Sequence, residues 1–226
     1  MSQTLDQNSL YTSFETILTS LSSKEKIVIQ KRIWLNCEKE TLQNIWNSFT
    51  PNITRERVRQ IEDSWVKKIG RIIKATILVE VQDYAKKILD EHGWILTKDK
   101  LVNAIIKGFE LESDLNSSII ETIVQSDYDI VKSKPKLWTV SYFYLPKISK
   151  KNIEAIHKEA LNILKKRKDV IDKTALYELI KLNLKDLNLK TVFIDSVLDI
   201  FEDVIKWEET LIWLTKWKIL NPKTLK

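Results

Sequence analysis

A chain of 226 residues, 43% hydrophobic and 30% charged, is long enough for two or three small domains with cores of their own. Its 37 basic and 31 acidic residues leave a formal charge of +6, compatible with a nucleic-acid partner but too modest to require one. No apolar run reaches membrane-spanning length, the start Met1-Ser2-Gln3-Thr4 lacks the regions of a signal peptide, and Cys37 alone excludes an intramolecular disulfide, so a cytoplasmic protein is expected.

In chain order, Leu21 to Arg32 reads as a capped helix and Thr41 to Phe49 as a second, shorter one, followed by a turn from Thr50 to Ile53. The next segment, Thr54-Arg55-Glu56-Arg57-Val58-Arg59-Gln60-Ile61-Glu62, holds three of the chain's 6 arginines in five positions. Arginine's planar fork grips a guanine edge or a phosphate with two bonds at once, so the cluster points to a DNA-recognition helix. Val58, Ile61, Trp65, Ile69 and Ile72 recur at helical spacing and predict one buried face, with Arg55, Glu56, Arg59 and Gln60 together on the opposite one. Thr54 is the expected N-cap, and Glu56 in the first turn suits the positive end of the helix dipole. An Arg-rich helix with interleaved acids is also what a solvated face looks like, but the order helix, short helix, turn, long helix is the helix-turn-helix plan.

Over roughly residues 14–75 the chain resembles region 4 of the bacterial sigma-70 family, whose signature ends in Thr-Arg-Glu-Arg-(Ile/Val)-Arg-Gln-Ile-Glu and is matched completely at 54–62. The resemblance implies a recognition helix that reads a −35-type promoter element in double-stranded DNA. It gives base-edge roles to Arg55, Glu56, Arg59 and Gln60, and phosphate or activator contacts to Arg57 and Thr41, with Thr54 at the cap and Lys67 a lesser contact. It also implies RNA polymerase core as a partner, docked through its β flap, and a nucleoid-associated location. Two departures bear on base preference: Trp34 and Trp46 replace the family's glycines, and the turn is two residues longer than usual. Little sequence precedes the match, so no region that melts a −10 element is expected.

The recognition helix is expected to run on through Ile73 to Val79, since neither Gly nor Pro with stopping power intervenes before Asp83. The remaining chain looks like an internal duplication. One copy runs from Tyr84 through Ile95 to Ile106, Leu115 to Val124, Tyr128 to Val131 and Leu137 to Val140. The other runs from Ala160 through Val170 to Ile180, Thr191 to Ile200, Asp203 to Lys206 and Leu211 to Thr215, with Trp138 and Trp213 at matching places. Each copy reads as three helices and a two-stranded wing, with its tryptophan closing the core. In arrangement the copies resemble HARE-HTH winged helices, the fold also found at the amino end of the polymerase delta subunit. The third helices, Asn116–Gln125 and Lys190–Phe201, carry too few cations to read a major groove, which leaves protein, or modified or distorted DNA through the wings, as the partners of these domains.

The expected fold is therefore mainly α: a sigma region 4-like helix-turn-helix over 1–82 and winged-helix domains over 83–148 and 149–226. With no glycine-rich phosphate loop, no metal-ligand spacing and no paired carboxylates, neither an enzyme nor a cofactor is expected. The alternative is a protein-interaction scaffold or regulator, of RNA polymerase or of a DNA-modification or defence system.

Overall fold

The computed structural model describes residues 7–33, 44, 54–111, 113–207 and 210–217. The short helix expected over Thr41–Phe49, its flanking turn, Cys37, Trp34 and Trp46 lie outside the described residues, apart from Asn44. Among the described residues the chain is mainly helical with two small sheets. Its parts fall into two units, Met1–Ile88 with Lys100–Val131 and Leu89–Asp99 with Lys132–Lys226, so the segment 83–148 contributes chain to both.

In the first unit, helices α1 (Gln7–Thr19), α2 (Ser23–Ile33), α3 (Arg55–Ile73) and α6 (Ser113–Gln125) pack together, joined by parts of α4 (Val79–Glu91) and α5 (Lys98–Gly108). Each helix buries a stripe at three- and four-residue spacing: Leu10, Phe14, Ile17 and Leu18 from α1, Val28 and Ile29 from α2, and Ile119, Ile120, Ile123 and Val124 from α6. The α3 stripe is Val58, Ile61, Trp65, Ile69 and Ile73, so the last buried position falls on Ile73 and the expected Ile72 is only half-buried. Gly70 lies on this buried side, and a Cβ there would run into the Ser126 carbonyl oxygen. Where α4 meets α6, the buried Gln82 amide donates to the Ile123 carbonyl at 3.0 Å and to Ser126 Oγ at 3.1 Å.

The expected continuation of α3 does not occur. It ends at Ile73, and α4 begins at Val79. The stop is neither Gly nor Pro. Ala75 and Thr76 donate their amides to Ile72 and Ile73, tightening the last turn, and Thr76 Oγ1 donates to the Ile73 carbonyl while accepting from the Leu78 amide. A threonine hydroxyl thus takes over backbone bonds that a continuing helix would have made.

From Val79 onward the chain repeats one order of elements, helix, strand, helix, helix, strand, strand. The first set is α4, β1 (Ile95–Thr97), α5, α6, β2 (Val131–Ser133) and β3 (Tyr142–Tyr144). The second is α7 (Lys150–Arg167), β4 (Ile171–Asp172), α8 (Lys173–Asn183), α9 (Thr191–Leu198), β5 (Val204–Trp207) and β6 (Leu211–Leu214). Each sheet has three strands with the last in the centre, β1-β3-β2 and β4-β6-β5, in place of the expected two-stranded wing. The register is the same in both: Leu96 opposes Phe143 and Ile171 opposes Ile212, and the amides of Lys98 and Lys173 donate to the carbonyls of Ser141 and Thr210. That register makes Tyr144, not Trp138, the counterpart of Trp213. Trp213 is 4% exposed in the core, whereas Trp138 lies outside the strands and is 50% exposed, so the matching of the two tryptophans is corrected.

Apart from Val131 of β2, both sheets lie in the second unit, where α7, α8 and α9 bury Ile153, Ile156, Leu164, Leu176, Tyr177, Ile180, Ile194 and Val197 beside Ile212 and Leu214 of β6. The end of α4 enters this unit through a left-handed turn. The amides of Trp94 and Gly93 return to the carbonyls of Leu89 and Asp90, Gly93 has φ +74°, and a Cβ there would stand 2.8 Å from the backbone of Phe193. A part-buried ionic cluster ties α8, α9 and β5. Asp195 accepts from the Tyr177 hydroxyl at 2.5 Å and from Lys206 at 2.7 Å, pairs with Lys173 at 2.9 Å, and Lys206 also reaches Asp199 at 2.7 Å. Burial by itself raises the Asp195 carboxyl, but the bonds from Lys206, Tyr177 and Lys173 outweigh it and hold the group well below its ordinary 3.8. Burial and the bond to Asp195 push the Tyr177 phenol upward.

Two outcomes follow from this packing. Gly70→Ala should cost about 1–3 kcal/mol of unfolding free energy in a urea titration, because backbone must shift to admit one methyl group. Asp195→Asn should lose roughly 1.5–3 kcal/mol at neutral pH. A carboxyl depressed in the folded state adds stability above its unfolded value, so the gap between wild type and variant should be full at neutral pH. It should close as pH falls below about 3.8, read from urea midpoints across the acid range.

Candidate nucleic-acid interface

The sequence cluster sits at the start of α3, and the helix begins where its cap predicts. Thr54 is extended at φ −75° and ψ 155°, and its hydroxyl accepts the Arg57 amide at 3.1 Å. With Val58, Ile61 and Trp65 turned inward, Glu56, Arg57, Arg59, Gln60 and Lys67 all fall on the exposed side. The backbone of Arg55 opens the helix, while its side chain and the whole of Thr41 lie outside what is described. Of the eight expected site residues, six are therefore placed together along one helix and its cap.

The exposed side is internally ordered. Arg59 makes a two-pronged bond to Glu56, Nε to Oε2 at 2.9 Å and Nη2 to Oε1 at 2.6 Å, and its Nη1 reaches Asp63 Oδ2 at 2.7 Å. Arg57 Nη1 donates to Gln60 Oε1 at 3.2 Å. Glu56 holds the Arg59 guanidinium well above its ordinary value, first through the hydrogen bond and then through charge, with Asp63 adding to it. Conversely, the bond from Arg59 keeps the Glu56 carboxyl below its ordinary 4.5.

This arrangement has a chemical consequence. Solvent-exposed ion pairs are worth only about 0–1 kcal/mol, so exchanging a carboxylate for a guanine edge or a phosphate costs Arg59 little. Glu56 and Asp63 also repel phosphate, and a carboxylate such as Glu56 can accept from an amino group.

Helix α3 is braced from behind by α2. Ser22 and Glu25 form a capping box: the Glu25 carboxylate accepts the Ser22 amide at 2.9 Å and its hydroxyl at 2.7 Å, and the Glu25 amide faces Ser22 Oγ at 3.5 Å. The same carboxylate pairs with Lys68 at 2.8 Å. Ser22, Lys24, Glu25, Arg57, Gln60, Ile61 and Ser64 line a small cleft of about 180 Å³ beside the Arg57–Gln60 pair. The motif does not single out Asp63 or Lys68. Asp63 stands four residues after Arg59, a spacing that signals a pair, whereas nothing local announces an ion pair between residues 25 and 68.

Among the described residues no three His, Cys, Asp or Glu side chains are grouped to hold a metal ion, and no helix is long and apolar enough to cross a membrane. His92 follows the end of α4, its carbonyl accepting from Ser196 at 2.8 Å, and His157 bonds Asp203 at 2.8 Å while stacking on Phe201 at 3.6 Å. Comparison with protein-family models, with curated proteins and with solved structures finds no match for this chain.

Glu25→Gln should show what the brace contributes. Burial raises the Glu25 carboxyl, but hydrogen bonds from Lys68 and Ser22 outweigh it and keep it below its ordinary 4.5. The substitution should cost about 1–2 kcal/mol at neutral pH, and the loss should shrink as pH drops through and below 4.5, measured by urea unfolding at each pH.

Proposed function

We propose that the protein is a sequence-specific binder of double-stranded DNA associated with transcription, reading a −35-type element through α3 as sigma region 4 does. The observation that carries the reading is the capped α3. It buries Val58, Ile61, Trp65 and Ile69 and holds Glu56, Arg57, Arg59 and Gln60 on its exposed first turns, where a helix entering a major groove meets base edges. Arg55 joins them through its place in the motif. Arg59 and Glu56 contact base edges, Gln60 pairs with adenine or supports Arg57, and Arg57, Thr41 and Lys67 meet the backbone.

In this reading the two repeats are winged helices of the HARE-HTH kind, supported by their common order of elements and by the central placement of the last strand. They serve as partner-binding modules, and RNA polymerase core, contacted at its β flap, is the proposed partner. The chain acts without catalysis of its own, in the cytoplasm and on the nucleoid. The competing reading, a scaffold that has kept the fold for protein contacts, differs in its response to salt. Phosphate contacts weaken binding steeply as salt rises, and an apolar protein interface does not.

Selection from a random duplex library supplies the preferred site. On it Arg55→Ala and Arg59→Ala should each lose about 1–3 kcal/mol and relax specificity at one base pair, while Lys67→Ala should weaken preferred and scrambled duplexes alike. Wild-type affinity of both arginine variants for both duplexes would exclude α3 as the reader.

A further inference from the structure

The loop joining β2 to β3 runs from residue 134 to 141, longer than the 208–210 connection between β5 and β6 in the second repeat. It occupies the most one-sided stretch of the sequence: from Ile130 to Ile153 there are six lysines and no Asp or Glu. Lys134 and Lys136 are exposed, and between them and Thr139 stand two large apolar side chains turned to solvent, Leu137 at 83% and Trp138 at 50%. The Lys216 ammonium lies 5.6 Å from the Trp138 ring centroid, adding a third cation beside the aromatic face.

The tip is held firmly. Thr139 N donates to the Lys136 carbonyl at 3.1 Å, and Lys136 N donates to Thr139 Oγ1 at 3.1 Å, closing a tight turn over Leu137 and Trp138. The Trp138 carbonyl accepts the Glu202 amide at 3.1 Å, and Val140 N donates to Ile200 O at 3.0 Å. Trp138 itself sits at φ +69°, a left-handed conformation unfavourable for an aromatic residue and maintained here by these four bonds. Two apolar side chains that could be buried are thus presented outward on a strained, braced turn ringed by ammonium groups.

We infer that the β2–β3 loop is a second DNA-binding element: Lys134, Lys136 and Lys216 meet phosphates of a duplex while Leu137 and Trp138 wedge against a base step from the minor groove. Charge complementarity selects a polyanion, and an aliphatic and an aromatic tip on a rigid turn fit planar bases that are prised apart. Two side chains are too little apolar area to anchor the chain in a bilayer, which disfavours an anionic membrane. The element shares its ligand with the proposed reading of α3 but stands on separate residues, so the two can fail independently.

The test uses the full chain and a short duplex of scrambled sequence carrying 2-aminopurine, whose fluorescence rises when a base is unstacked. Lys134→Glu/Lys136→Glu should weaken binding at least about tenfold and flatten the salt dependence, by roughly 0.9 in logarithmic slope for each phosphate no longer neutralised. Leu137→Ala/Trp138→Ala should keep most of that slope and abolish the fluorescence rise. Because all four side chains are exposed, the thermal midpoint should stay at its wild-type value in both variants. Arg59→Ala should lose site discrimination while the loop-dependent fluorescence rise on the bound scrambled duplex persists. If it keeps discrimination while the loop variants lose affinity, the reading of α3 fails and the loop stands. Wild-type duplex binding and fluorescence in both loop variants would overturn the inference, as would loop-dependent binding to phosphatidylglycerol vesicles with duplex binding unchanged.

Discussion

Everything displayed by α3 is positioned by what α3 buries. Val58, Ile61, Trp65, Ile69 and Ile73 form one continuous stripe in the first unit, and a helix rotated by a single residue would have to lift several of them into water at about 1.5–3 kcal/mol each. That penalty fixes which side chains face outward far more firmly than any exposed ion pair does. The capping box of α2 and the Glu25–Lys68 bridge then limit sliding along the same interface. The Trp65 indole N–H is buried with no hydrogen-bond partner among the described residues, so this ring is held by packing.

How much of this is legible depends on range. The N-cap of α3, four of its five buried positions and the exposed positions 56, 59 and 60 follow from a short window, because helical period and capping act within a turn or two. The end of α3 is not readable by the usual signs, since the stop is a threonine hydroxyl competing for backbone bonds and not a Gly or Pro. β1 and β4 are hidden for another reason. With three and two residues they carry no alternation, and what makes them strands is pairing with β3 and β6, some forty residues away in sequence. Trp138 and Trp213 look equivalent because each follows an Asp-containing turn and a strand, yet the longer first loop shifts the register, and Tyr144 takes the core position.

The ionic cluster of the second unit illustrates a different kind of constraint. Lys206 from β5 and Lys173 from the start of α8 converge on Asp195 of α9, with the Tyr177 hydroxyl completing its shell. To the packing of the apolar faces, several directional bonds on one carboxylate add a further restriction on the mutual placement of two helices and a strand. The cost is partial burial of several charges, and the benefit is that β6, between β4 and β5, meets a fixed set of partners.

The division of the chain between its two units bears on how the molecule is made. The backbone passes from one unit to the other after Ile88, back after Asp99 and across again after Val131. A ribosome adding about 5–20 residues per second therefore makes α1, α2 and α3 some seconds before α6, which packs on α2 and α3. Until then the apolar stripe of α3 lacks part of its cover, and the short piece 89–99 waits longer still for the strands and helices that enclose it. The first unit thus closes only once chain well beyond α3 has been made, and the second closes later still.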